Sequence, residues 1–292
     1  MFKHIIAVAA ILSFNMNGWA DYPADRKAAM ELVKAGKNEE ALSAFEKMAE
    51  GTAVEAQKAD AIEQAAMCAN RLKKYDQAIE LAGKIPAVPM AKTVQMRIML
   101  DNGKASEILT KFKDESIADW PSKAAGEASY CRGIAYFNAK DGKAAEADLK
   151  NALKNLAPER MADEARFRLA DNYKDNLKDD QQALAAYLEG IEKSIDAFGW
   201  IRLQSIVSAS EILCRQKKYD EALAVLGKVD SSKMSGTWKY NLILAYANVV
   251  AAQGRKDEAI AKLNEGLAGK DIAGWQKPLF QQKVKELQVE AK

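Results

Sequence analysis

The chain has 292 residues, of which 49% are hydrophobic and 29% charged, and its formal net charge at pH 7 is +2. That length and apolar fraction are ample for one large domain or two ordinary ones. A net charge so close to zero provides no strong field for nucleic acid or anionic lipid, so we expect no nucleic-acid partner.

Residues 1–20 have the pattern of a secretory signal peptide. Lys3 gives a basic start, an apolar run extends from Ile5 to Phe14, and small residues at Gly18 and Ala20 precede a polar chain. Ten apolar residues are too few to cross a bilayer, which takes about 20. We therefore expect cleavage after Ala20 and export of residues 21–292 without an integral membrane segment. The periplasm is the expected compartment, and the extracellular space is the alternative.

The only histidine of the chain is His4, which lies inside this leader. The exported protein would then contain no histidine, which excludes Ser-His-Asp and Cys-His catalysis and histidine-ligated zinc. It also removes the commonest general base. We predict that the chain is not an enzyme, and that it has no catalytic residue, no cofactor and no metal site.

One short phrase recurs along the rest of the chain, as in GKNEEALSAF at 36–45, KKYDQAIELA at 73–82 and KKYDEALAVL at 217–226. Each copy has a turn-forming or charged pair, then a small or aliphatic residue, then a second core position four residues later. The small or aliphatic positions lie 30 to 39 residues apart and are Ala41, Ala78, Ile108, Ala145, Ala183, Ala222 and Ala259. Repetition at such a period predicts a stacked repeat protein.

The residue types in the phrase explain why the copies would stack. A small residue such as Ala222 lets two helices approach closely, and Leu226, one turn later on the same face, fills the groove between them. Neither helix can bury its apolar stripe alone, so neighbouring copies must cover one another. Strand patterns are essentially absent, and the sequence therefore predicts an all-α fold.

The repeat resembles the tetratricopeptide repeat (TPR), a helix-turn-helix unit of 34 residues. The fourth copy carries the resemblance best, through Gly133, Tyr136, Ala145, Leu149, Ala152 and Pro158. The resemblance implies a right-handed α-solenoid of about seven helix-turn-helix repeats with a C-terminal capping helix. The signal peptide would occupy 1–20 and the solenoid 21–292, with repeats at about 24–50, 56–85, 88–115, 122–157, 160–193, 200–229 and 238–268.

The capping helix is predicted over 275–290. Trp200, Trp238 and Trp275 are spaced by 38 and 37 residues, so the segment after Trp275 looks like the first helix of an unfinished eighth copy. Its polar side chains suit the open end of a stack, which needs a soluble cap. The alternative is a disordered tail.

In TPR proteins the first helices of successive copies line a concave groove in which a protein or peptide partner binds. The resemblance, carried over by register, places nine candidate residues in that groove. Tyr130 and Phe137 are seven residues apart, hence on one helical face, and are the candidate anchors; the alternative is that both rings only pack between repeats. The nine are Asn70, Arg97, Tyr130, Phe137, Asp171, Lys174, Glu211, Arg215 and Asn248.

The resemblance implies an exported scaffold or adaptor that binds a protein or peptide, in cell-envelope assembly or secretion. One alternative is an all-helical, carbohydrate-active or other carboxylate-dependent enzyme, or a glycan-binding solenoid. Such chemistry needs two carboxylates about 5–10 Å apart, and Glu127, Asp171 and Glu211 are its candidates. A self-assembling structural repeat is a third alternative.

Overall fold

A computed structural model of the chain describes residues 21–196, 199–230 and 234–289. Within these ranges the chain folds into fifteen α-helices and one 3-10 helix, Ile117–Asp119, and no residue lies in a strand. The predicted signal peptide, residues 1–20, lies outside the described residues. The α-helices are α1 Tyr22–Lys34, α2 Asn38–Gly51, α3 Glu55–Arg71, α4 Tyr75–Gly83, α5 Val88–Asp101, α6 Ala105–Phe112, α7 Ser122–Asn138, α8 Gly142–Asn155, α9 Arg160–Asp175, α10 Asp180–Lys193, α11 Trp200–Arg215, α12 Tyr219–Leu226, α13 Gly236–Ala252, α14 Lys256–Leu267 and α15 Gln276–Val289.

The first fourteen helices form seven consecutive pairs, in which an odd-numbered first helix is joined by a tight turn to an even-numbered second helix. Second helices also pack on the first helix of the next pair, as α2 does on α3 and α8 does on α9. The prediction of an all-α chain of about seven helix-turn-helix repeats is therefore confirmed. This is the architecture that the TPR resemblance implies, while the handedness of the stack stays a prediction.

The chain divides into two compact units, one ending at Ile98 and the other beginning at Met99, so that the boundary falls within α5. In the first unit, the buried residues of α1 to α5 form one apolar cluster around Phe45 and Ile62. In the second unit, a large cluster extends from α7 to α13 around Leu149 and Tyr187. The apolar residues are thus distributed along a series of helix seams, as the repeat predicts.

The repeated small and core positions form the centre of these seams. Ala41, Ala145 and Ala222 are fully buried, and so are their counterparts in the other four pairs. The residues four positions later are at most 6% exposed, among them Phe45, Leu149 and Leu226. Alanine at the first position, in six of the seven pairs, lets the second helix lie close to its partner, and the larger side chain at most of the second positions fills the groove between them.

Every turn inside a pair contains one residue with a left-handed backbone. That residue is glycine in three of the turns, Gly36, Gly103 and Gly254, and lysine in the other four, Lys73, Lys140, Lys178 and Lys217. The next amide usually reaches back to a carbonyl in the last turn of the first helix, as from Lys218 to Leu213 at 2.9 Å. This is the Schellman arrangement that ends a helix and reverses the chain.

Arg132, on α7, ties three helices together. Its guanidinium group donates to both carboxylate oxygens of Asp148 on α8, at 2.6 and 2.8 Å. It also donates to the backbone carbonyls of Phe112, the last residue of α6, and of Lys113 and Glu115 just after it. Both charged side chains are nearly buried, at 12% and 10% exposed. Because the pair is nearly buried and held by several hydrogen bonds, its integrity matters for folding.

The last helix, α15, covers one end of the second unit. Phe280 and Leu287 are buried against α13 and α14, and the Phe280 ring lies edge-on to Tyr240 at 6.2 Å. The preceding turn is held by Asp271, whose carboxylate accepts hydrogen bonds from the Tyr240 hydroxyl and from the Gly236 backbone amide. The predicted capping helix is therefore an ordered part of the second unit.

Across the described residues, the structure contains no helix that is both long and apolar enough to span a membrane.

Candidate functional site

Six of the nine predicted groove residues are accessible on the first helices of the second unit. Tyr130 and Phe137 on α7 and Lys174 on α9 are half-buried, while Glu211 and Arg215 on α11 and Asn248 on α13 are exposed. We call these six residues the first-helix face. Residues separated by three, four or seven positions lie on the same side of a helix. The two members on α7 therefore share one side of that helix, and so do the two members on α11.

Tyr130 joins α7 to α9. Its hydroxyl donates a hydrogen bond to Glu164 at 2.9 Å, and Arg160 pairs with the same carboxylate at 3.1 Å. Burial of the ring and the Glu164 charge raise the pKa of Tyr130 well above its usual value, so the hydroxyl stays protonated and donates. Tyr130 therefore takes part in repeat packing, as the alternative for this ring predicted, and the residue is half-buried.

Phe137 lies near the end of α7, beside the turn into α8. The Lys140 ammonium group is 5.7 Å from its ring centroid, and the side-chain amide of Asn176, the C-cap of α9, donates to its backbone carbonyl at 3.1 Å. The residue is half-buried. The cation and the ring attract one another, so Phe137 packs against the Lys140 side chain of the turn that follows α7.

Asp171 is a correction to the sequence prediction, because it is a packing residue. It is only 8% exposed, and it accepts a 2.5 Å hydrogen bond from Tyr187, which is fully buried on α10. Lys174 and Arg168 lie 3.7 and 3.5 Å from its two carboxylate oxygens. Burial raises the pKa of Asp171, and the Tyr187 hydrogen bond opposes that shift. The register places Asp171 correctly on a first helix, α9. The long Tyr187 side chain of α10, however, reaches the Asp171 carboxylate and encloses it.

The face is most open on α11 and α13. Glu211 and Asn248 are exposed, and Arg215 is 52% exposed while it pairs with Asp180 at 2.8 Å. An exposed ion pair of this kind contributes little to stability. These side chains offer a carboxylate, a guanidinium group and an amide to a ligand at a small cost in lost internal contacts.

The two candidates in the first unit, Asn70 and Arg97, are engaged in the fold. Asn70 is 7% exposed, so the prediction that it faces a partner is wrong. Arg97 is half-buried and pairs with Glu63 at 2.8 Å, which links α5 to α3. Neither residue is an accessible contact point of the kind that Glu211 and Asn248 provide.

Polar links between successive first helices were not predicted from the sequence. Arg26 and Tyr22 bond to Asp60, Glu63 to Arg97, Tyr130 to Glu164, and Gln276 to Asn241. Four of the five linked pairs are separated by 34 or 35 residues, close to one repeat length. Pairs of complementary polar residues at that separation were therefore a signal available in the sequence.

The three carboxylates that are candidates for an enzyme function lie in different environments. Asp171 is enclosed by Tyr187, Arg168 and Lys174, Glu127 lies 4.0 Å from Lys123, and Glu211 is exposed. Among the described residues there is no group of three or more Cys, Asp or Glu side chains placed to hold a metal ion.

No protein-family model matches the chain, and no curated protein matches it in sequence. Among solved structures, the chain is similar to a tetratricopeptide repeat protein from Parabacteroides merdae, with 16% identity, 92% of this chain and 99% of that chain covered, and a TM-score of 0.48. It is also similar to a chain of Naa15/Naa10 bound to HypK-THB, with 13% identity, coverages of 91% and 38%, and a TM-score of 0.43. For yeast Tom70 the identity is 15%, the coverages are 96% and 66%, and the TM-score is 0.36. The helix-pair fold is established by the helices of this chain described above.

Proposed function

We propose that the chain is a helical-repeat scaffold that binds a protein or peptide segment on its first-helix face. The observation that carries the proposal is the contrast within that face. Tyr130 is engaged with the neighbouring first helix, while Glu211, Arg215 and Asn248 project from α11 and α13 as exposed polar groups. A partner that lies across α11 and α13 meets a carboxylate, a guanidinium group and an amide in fixed positions.

The stacked pairs support a binding role for a physical reason. Each first helix is held by its own second helix and by its neighbours, so the exposed side chains are mounted on a rigid frame. A ligand that docks on such a frame does not have to order it, and this lowers the entropic cost of binding. A scaffold or adaptor function, without catalysis, uses that property directly.

We also propose that the protein acts after export, in the periplasm, in envelope assembly or secretion. The support is the sequence of residues 1–20, with its basic start, apolar run and small residues before Asp21. The test is the mass and N-terminal sequence of the protein isolated from fractionated cells. A chain that begins at Asp21 in the periplasmic fraction is expected, and an uncleaved chain in the cytoplasmic fraction would contradict the proposal.

The binding function is tested by site-specific photo-crosslinking in the protein's own cell. A benzoylphenylalanine residue is introduced at Glu211 or Asn248, on the first-helix face, and in matched controls at the exposed Gln181 or Lys154 on second helices. We expect one common protein adduct from the two first-helix positions and none of that mass from the controls. The same adduct from all four positions, or adducts from the controls alone, would overturn the proposal.

A further inference from the structure

The exposed large apolar side chains of the second unit gather at one edge of the stack. The chain reverses once inside each pair and once between pairs, so every first helix begins at the edge formed by the segments between pairs. Among the described residues of this unit, five large apolar side chains are exposed, and four of them precede or begin a first helix. We call these four residues the inter-pair edge; they are Ile195, Trp200, Trp275 and Leu279.

The opposite edge, formed by the turns inside the pairs, has a different composition. Exposed lysines hold the left-handed position of three turns in this unit, Lys140, Lys178 and Lys217. Among the described residues, no exposed large apolar side chain lies in those turns. Exposed apolar residues that are scattered singly need no explanation, but their concentration at one edge marks a contact surface.

Tryptophan recurs at the inter-pair edge on three successive first helices. Trp200 begins α11, Trp238 is the third residue of α13 and is half-buried, and Trp275 directly precedes α15. The Trp200 ring is anchored edge-on against Phe167 of α9, with 5.8 Å between the ring centroids. Because α11 packs on α13 and α13 on α15, the three indole groups follow one another along the edge. Indole, with an apolar body and one polar N–H, is the side chain best suited to the boundary between lipid headgroups and acyl chains.

Two exposed ammonium groups, from Lys270 and Lys277, flank Trp275 in the chain. Neither lysine forms an ion pair among the described residues. Asp271 is the one acidic residue of the segment 268–279, and its carboxylate already accepts two hydrogen bonds from α13. Lys239 of α13 adds a third cation, whose charge acts on that carboxylate. The surroundings of Trp275 are therefore positive, although the chain as a whole is close to neutral.

We propose that the inter-pair edge of the second unit binds the surface of an anionic lipid bilayer. Trp275, which is 60% exposed, and Leu279 would enter the headgroup layer from the start of α15, and the neighbouring lysines would lie beside the lipid phosphates. At the other end of the edge, Arg160 and Asp196 line a hollow beside Trp200 and their charges offset one another, so the electrostatic attraction comes from the Trp275 end.

The form of the edge favours a bilayer over a peptide. The four apolar side chains belong to separate helix ends and loops, so they present tips instead of the continuous groove that a peptide or helix partner needs. A bilayer surface is planar and fluid, and it accepts separate tips without a matching shape. The proposal concerns a different surface from the first-helix face and does not depend on it.

The test is flotation of the protein with lipid vesicles in a density gradient. The protein comprises residues 21–292, because the apolar run from Ile5 to Phe14 would itself bind lipid. One set of vesicles is phosphatidylcholine alone, and the other is an equal mixture of phosphatidylcholine and phosphatidylglycerol. Circular dichroism checks that each variant is folded, and size-exclusion mass without lipid gives the oligomeric state.

The apolar contact is tested by the double variant Trp275→Ser, Leu279→Ser. Its control is Val289→Ser, because Val289 is 74% exposed on the same helix but lies about 20 Å from Trp275 along the axis. We expect the double variant to bind the mixed vesicles at least about tenfold more weakly than the wild type, and the control to bind within about twofold of it.

The charge contribution is tested by Lys270→Gln with Lys277→Gln. The control, Lys178→Gln with Lys217→Gln, removes the same charge from exposed lysines at the opposite edge. We expect the first pair to weaken binding about tenfold or more and the control pair to leave it within about twofold of wild type. Binding of the wild type should also weaken as salt screens the lysines.

Several results would overturn the proposal. They are equal binding to the two kinds of vesicle, no binding up to about 1 mM lipid, and equal losses in a variant and its control. A dimer in solution that Trp275→Ser, Leu279→Ser dissociates would assign the edge to a second copy of the chain and would also overturn it. These outcomes are independent of the crosslinks from Glu211 and Asn248, so either proposal can fail alone.

Discussion

On α7 and α9 the polar side chains at the predicted groove positions are held by neighbouring helices, whereas on α11 and α13 the equivalent side chains are exposed. Tyr130 bonds to Glu164 and Asp171 accepts from Tyr187, but Glu211 and Asn248 project outward. Asp171, Glu211 and Asn248 lie 11 or 12 residues before the repeated small residue of their pairs, so corresponding positions in the repeat serve packing in one region and remain accessible in the other. What differs is the neighbour, since a long side chain on the adjacent helix can enclose a polar group.

The largest expected effect on stability comes from the removal of Arg132, in the packed region. Arg132→Ala leaves the Asp148 carboxylate buried without its cation and removes a donor from the backbone carbonyls of Phe112, Lys113 and Glu115, so we expect a loss of about 3–5 kcal/mol of unfolding free energy. Denaturant unfolding followed by circular dichroism measures it. Arg215→Ala is the matched change in the exposed region, where the pair is worth about 1 kcal/mol or less. Similar losses for the two variants would contradict the distinction between the regions.

The second effect concerns the Asp171–Tyr187 hydrogen bond. Tyr187→Phe keeps the ring but removes the only hydroxyl group of that residue, so the buried carboxylate of Asp171 loses a donor and about 1–3 kcal/mol of stability should be lost. Adding Asp171→Asn in a double-mutant cycle shows whether the two changes are coupled. Additive losses would mean that the pair does not act as one buried unit.

A smaller effect, of opposite sign, is expected in a turn. Lys217 has φ of 59°, a left-handed conformation that is unfavourable for a residue with a side chain. Lys217→Gly should stabilise the protein by up to about 1 kcal/mol, because glycine adopts this backbone freely. The converse change, Gly254→Ala at φ of 89°, should destabilise it. A loss of stability in Lys217→Gly, measured by the same denaturant unfolding, would refute this view of the turns.

The smallest effect is a pH dependence at the cap. Hydrogen bonds from Tyr240 and Gly236 lower the pKa of Asp271, while burial and this carboxylate raise that of Tyr240 to about 12. A carboxylate with a lowered folded pKa stabilises the fold above its unfolded pKa, near 3.9, and loses that contribution as the pH falls through the folded value. Unfolding measured between about pH 6 and pH 3 should therefore show a weaker acid destabilisation in Asp271→Asn than in the wild type. Identical pH profiles for the two proteins would show that Asp271 does not contribute to the acid destabilisation.

Much of the fold was predictable because it is periodic. The small residues from Ala41 to Ala259 recur at positions that the structure buries completely, so a pattern visible in seven copies identified the helix seams. Helix direction, pairing and the ordered cap follow from the same pattern. The turn lysines were less evident, since a left-handed lysine has no distinctive signal unless it is aligned with Gly36 and Gly103 in sister copies.

The site was less predictable because register assigns a residue to a face but not to an environment. Asp171 has the right spacing for the first-helix face, yet the length of Tyr187 on another helix decides that it is buried. Asn70, in the first unit, is also buried although its register placed it in the groove. Exposure depends on side chains that are distant in sequence, and a single repeat pattern carries no information about their reach.

The most direct test of the binding face measures how well two variants bind the partner that is crosslinked from position 211. The double variant Arg215→Ala, Asn248→Ala should lose that partner while its free energy of unfolding stays within about 0.5 kcal/mol of wild type, since surface changes cost little. Tyr187→Phe should lose stability but keep the partner under conditions where it is folded. If the double variant retained the partner with wild-type affinity, the first-helix face would not be the binding site.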